Sequence, residues 1–133
     1  MSTLDDLLAA RALIARPGDW GTVWRSHGGS PPYCAIGAIA KAIFGDAESY
    51  RVYCDGDAVL APLAAALPAE ARGSSRFIST QIELFNDRST HAEVLALFDR
   101  AIERQRLIEQ MGEQPACKNL NSFLPPVLIP ADG

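Results

Sequence analysis

The chain has 133 residues, of which 48% are apolar and 21% charged, with a formal net charge of −4 and a pI of about 5.1. That is enough apolar chain to bury a core of its own and too little charge for a disordered segment. The negative field repels phosphate backbones and anionic lipid headgroups, so neither nucleic acid nor a membrane surface is expected as a partner.

The start, Met1-Ser2-Thr3-Leu4-Asp5-Asp6, has neither the basic residues nor the apolar run of an export signal, and no stretch of about 18 apolar residues could span a bilayer. Cys34, Cys54 and Cys117 are odd in number and widely spaced, which argues for reduced thiols rather than a disulfide framework. A cytoplasmic location is the expectation. Arginine far outnumbers lysine, present only as Lys41 and Lys118, and alanine is abundant, as in a GC-rich bacterial or phage genome.

Residues 3 to 15 read as a first helix. Ser2 or Thr3 caps it, Asp5 and Asp6 sit where the helix dipole favours anions, and Leu4, Leu7, Leu8 and Ile14 supply an apolar face. Pro17-Gly18 ends it. From Asp19 to Tyr33 a loop carries Trp20 and Trp24, two large aromatics expected to be partly buried, and His27-Gly28-Gly29-Ser30, which lacks the lysine and preceding strand of a phosphate-binding loop.

A second helix is expected from about Tyr33 to Phe44 as the central core element, terminated by Gly45. Its interior Gly37 implies a close approach by a neighbour. Between Ser49 and Asp57 the alternation of Tyr50, Val52 and Cys54 suggests a short strand or hairpin, with Asp55-Gly56 as its turn. Leu60, Leu63 and Leu67 recur at helical spacing, with Pro62 either opening or kinking that helix. A fourth helical face, Ile78, Ile82 and Phe85, precedes a break at Asn86-Asp87.

The last helix is the clearest: Thr90 and Glu93 form a capping box ahead of the stripe Val94, Leu97, Phe98, Ala101 and Ile102, which runs down to Met111-Gly112. Gln114 to Gly133 holds four prolines and no periodicity. The expected fold is therefore mainly α: a compact bundle of about five helices in residues 1–112, at most one short strand pair, and an irregular proline-containing tail over 113–133.

Cys34, at the start of the second helix, is the strongest chemical candidate, because the amides there favour a thiolate. His91, with Asp87 or Asn86, would complete a thiol catalytic set of Cys34, His91 and Asp87. The competing reading makes Cys34 an ordinary buried cysteine and outweighs it. Metal binding by Cys34, Cys54, Cys117, His27 and His91 lacks any pair at zinc-site spacing, and no metal or cofactor is expected. The corner between the helices near Phe85 and Thr90 mimics a helix-turn-helix, but it opens with Glu93 and has no basic residue before Arg100, the wrong surface for a DNA groove.

Trp20 or Trp24, Cys34-Ala35-Ile36-Gly37-Ala38, Phe85-Asn86-Asp87, Glu93-Val94-Leu95 and Ala101 together resemble a small, functionally uncharacterised domain family of actinobacteria, other bacteria and their phages. The resemblance spans Leu4 to Ala101 and implies no known activity. It directs attention to Trp24, Cys34, Gly37, Asn86 and Asp87 as positions that belong together, and Trp20, Trp24, Gly37 and Asn86 are the candidate binding residues. Two functions follow as expectations: a non-catalytic binding or regulatory protein of phage or mobile-element origin, acting on another protein through an acidic and aromatic surface, or a thiol-dependent hydrolase or transferase built on Cys34.

Overall fold

A computed structural model describes residues 2–22 and 30–112. Trp24, His27, Cys117 and the tail from Gln114 to Gly133 lie outside the described residues. The chain divides into two units, Met1–Ile102 and Glu103–Gly133. Among the described residues there are seven α-helices: α1 (Thr3–Leu13), α2 (Ala35–Phe44), α3 (Arg51–Asp55), α4 (Asp57–Ala65), α5 (Ala69–Arg72), α6 (Ile78–Arg88) and α7 (His91–Gly112). Among the described residues the only sheet-like contact is an isolated parallel bridge between Trp20 and Tyr33.

α1 starts where Ser2 and Asp5 exchange side-chain and backbone hydrogen bonds in a capping box. It buries Leu7, Ala10 and Ile14, which fall on one face at helical spacing. Leu8 sits well round the helix from that face and is exposed.

α2 is buried on every side from Ala35 to Ala40, the pattern of a helix enclosed by others, and α1, α3 and α6 pack around it. It ends at Gly45, whose φ of +76° is a left-handed cap that a side chain would disfavour.

The segment read as a strand or hairpin is helical. Of Tyr50, Val52 and Cys54 only Val52 is buried, so the alternation never had an apolar face to place against a sheet. An Arg51–Asp55 ion pair at 3.3 Å spans the single turn of α3. Gly56 then lets the chain fold back: a Cβ there would collide with the Val52 carbonyl oxygen, so the corner into α4 calls for glycine.

Pro62 lies inside α4, where a proline costs about 3 kcal/mol. Burial of Val59, Leu60 and Leu63, at about 2 kcal/mol each, outweighs that cost. α5 is a single unforeseen turn. α6 runs through Asn86-Asp87, where the sequence suggested a break, because Asn86 is buried and finds its partners through the side chain rather than by interrupting the helix. At the head of α7, the Thr90 hydroxyl accepts from the Glu93 amide and the Glu93 carboxylate accepts from the Thr90 amide. Val94, Leu97, Phe98, Ala101 and Ile102 bring the stripe of α7 into the core of the first unit.

Candidate functional site

The four amides opening a helix need outside acceptors, and at α2 two unusual side chains serve two of them. Cys34 is the N-cap, its sulfur accepting from the Gly37 amide at 3.3 Å. Asn86, reaching across from α6, accepts the Ala35 amide on Oδ1 at 3.0 Å.

Asn86 is 1% exposed and uses its whole hydrogen-bonding capacity. Oδ1 also accepts from Nε1 of Trp20 at 2.8 Å, while Nδ2 donates to the Gly21 carbonyl and to Oδ1 of Asp87, each at 3.1 Å. One side chain thus joins α6, the start of α2 and the segment after α1. The bridge completes that junction: Tyr33 donates to Asp19 at 2.7 Å and Gly21 donates to Tyr33 at 3.0 Å.

Trp20 is gripped twice, since its ring also lies 5.6 Å from that of His91, tilted by 35°. His91 opens α7, and its Nε2 sits 2.6 Å from the carbonyl of Ile14, so that nitrogen carries the proton and donates to the C-cap of α1. Trp20, Cys34, Gly37, Asn86, Asp87 and His91 therefore belong to one connected neighbourhood. No hydrogen bond joins Cys34 to His91: the sulfur engages Gly37 and Nε2 of the imidazole engages Ile14. Cys34 is buried, with 7% of its surface exposed.

The close approach expected at Gly37 is to Cys34 and Ala47. A Cβ at Gly37 would lie 3.5 Å from the Cys34 sulfur and 3.8 Å from the Ala47 oxygen, both ordinary contacts. Among the described residues no group of three or more His, Cys, Asp and Glu side chains gathers as a metal ion would need, and no helix is long and apolar enough to cross a membrane.

Residues that the sequence reading passed over lie beside this neighbourhood. The Tyr53 hydroxyl donates to the Glu83 carboxylate at 2.8 Å, tying α3 to α6. Burial, then the hydrogen bond to Glu83 and its charge, and then the nearby Cys34 thiol, all hold the phenol protonated well above its ordinary range. Tyr50 and Tyr53 line a hollow of about 600 Å³ with Asp46, Glu48 and Ser49, and Tyr50 is 84% exposed. The signal that could have found this pair is the helical phase of residues 51–55, hidden by the strand-like alternation.

The fold is that of a small, mainly α domain whose distinctive polar residues hold together the ends of its own helices. Residues 1–104 match the model of a family of unknown function, DUF6197, and the chain belongs to that family. No match was found among curated proteins or among solved structures.

Proposed function

We propose that the chain is a small non-catalytic binding or regulatory protein that acts on another protein in the cytoplasm, in a bacterium or in a phage or mobile element. The observation that carries this reading is the fate of three of the four candidate catalytic groups, Cys34, His91 and Asn86, while the fourth, Asp87, accepts from Nδ2 of Asn86. The Cys34 sulfur caps α2, the His91 Nε2–H is spent on Ile14, and Asn86 is saturated by four partners. A thiol enzyme needs its nucleophile in a cleft and a base within hydrogen-bond reach of it. The thiol-dependent alternative keeps one supporting observation, the position of Cys34 at the N-terminus of α2 with an N–H aimed at its sulfur.

The contact surface we favour is the hollow of Asp46, Glu48, Tyr50 and Tyr53, where exposed aromatic rings stand beside carboxylates. Tyrosines of this kind bring contact area at low entropic cost, and the acidic groups select a basic partner. A photo-crosslinking amino acid at position 50, compared with one at the exposed Ala15, tests this. Discrete adducts from position 50 that vanish in Asp46→Lys/Glu48→Lys support the reading. Adducts equal from both positions, or indifferent to the charge reversal, contradict it.

A further inference from the structure

A second cavity, within the Met1–Ile102 unit, is a half-open groove of about 730 Å³ formed by residues of α5, α6 and α7 and the end of α4. It shares no lining residue with the hollow of Tyr50 and Tyr53. Leu84 and Phe85 are only half-buried along it, and Ala66, Ala71 and Ala96 keep its walls low, so apolar side chains are left facing an occupiable space. The volume is in the range of natural ligand sites.

Two guanidinium groups stand over this floor. Arg88, in the last turn of α6, and Arg100, on α7, both line the groove, and among the described residues neither has a carboxylate within ion-pair distance. Of the two acidic residues in the same groove, Glu93 is engaged at the Thr90 cap, and Glu70 pairs with neither arginine. Arg100 is fixed at the edge by its Nε–H, which donates to the Ala66 carbonyl at 3.2 Å. An apolar floor beside two planar cations that form no ion pair with the groove's own carboxylates is complementary to an amphipathic segment that carries carboxylates beside its apolar side chains.

We propose that this groove docks an acidic amphipathic peptide segment of a partner protein, its apolar side chains over Leu84 and Phe85 and its carboxylates against Arg88 and Arg100. The inference rests on reading the chain as a protein-binding domain and names the chemistry of the segment it takes.

The test is selection of a random displayed peptide library on the immobilised full-length chain, with the enriched peptides then titrated against the wild type, Arg88→Glu, Arg100→Glu and Arg88→Lys. Enriched peptides should carry Asp or Glu beside an i, i+3/i+4 apolar pattern. They should weaken by about tenfold or more in each glutamate variant, and stay near wild-type affinity in Arg88→Lys, which keeps the charge. Thermal melts establish that each variant is folded.

Failure to enrich peptides, enrichment of peptides without acidic residues, or affinity unchanged by both charge reversals overturns the proposal. So does self-association of the chain that is lost in Arg88→Glu, since the groove would then be an interface between copies. None of these outcomes alters the crosslinks expected from position 50, so loss of the groove and loss of the protein-binding reading are told apart.

Discussion

The indole N–H of Trp20 donates to Oδ1 of Asn86 at 2.8 Å, across 66 residues of sequence. The same oxygen receives the first amide of α2, so the position of that tryptophan and the start of the central helix are set by a single buried carboxamide. Removing it leaves both donors, and the Gly21 carbonyl, without their partner in a desolvated place.

Asn86→Ala should therefore cost on the order of 3 kcal/mol in chemical denaturation, well beyond an ordinary surface substitution. Asn86→Asp should be worse at neutral pH, because a buried carboxylate would face the Gly21 carbonyl and Asp87 instead of donating to them. Its folded-state pKa would lie above the unfolded value of about 3.9, so the folded state binds the extra proton and the variant gains stability as pH falls toward that value. A variant whose stability is insensitive to pH between neutrality and acid would contradict the burial assigned to Asn86.

Two glycines should respond in opposite ways. Gly37→Ala meets only contacts of 3.5 Å and longer, so the better helix propensity of alanine should leave stability unchanged or raised by up to about 1 kcal/mol. Gly56→Ala drives its Cβ against the Val52 carbonyl and should lose about 2 kcal/mol or more. Paired urea melts check both signs.

Much of the fold was legible because its signals are local. The Thr90–Glu93 capping box, the left-handed stop at Gly45 and the continuous burial of α2 each follow from residues a few positions apart. The arrangement of the polar residues around the start of α2 was not legible. Nothing near His91 in the sequence announces that its partner is the carbonyl of Ile14, 77 residues away, or that the tilted ring of Trp20 lies beside it. Nor could alternation at Tyr50, Val52 and Cys54 reveal that only one of the three would be buried, which is the fact that decides between strand and helix.

Tyr53 offers a spectroscopic check on α3. Its phenol is held protonated by burial and by Glu83, so ultraviolet titration should show an ionisation well above the ordinary value of about 10 that Tyr53→Phe removes and Glu83→Gln brings down. The sign for stability is that of an acid whose folded-state pKa is raised: the contribution is complete below about pH 10 and is lost as pH climbs beyond it. Tyr53→Phe should cost about 1 kcal/mol, the net worth of one hydrogen bond to Glu83 from a ring that is half exposed. A high-pH ionisation that is the same in Tyr53→Phe as in the wild type would contradict the contact.

The central claim is that the cysteine, histidine and amide at the mouth of α2 hold the fold rather than perform chemistry, and thiol labelling of the full-length folded chain tests it most directly. Cys54 is exposed and serves as the internal reference, while Cys34 is buried with its sulfur on the Gly37 amide. Cys34 should resist alkylation until the protein unfolds. His91→Ala, which loses the Ile14 bond and the Trp20 contact, should lower stability by about 1–2 kcal/mol without slowing the labelling of Cys34 in the native state. Labelling of Cys34 that is faster than that of Cys54 in the folded protein, and slowed by His91→Ala, would contradict the account and make the chain a thiol enzyme.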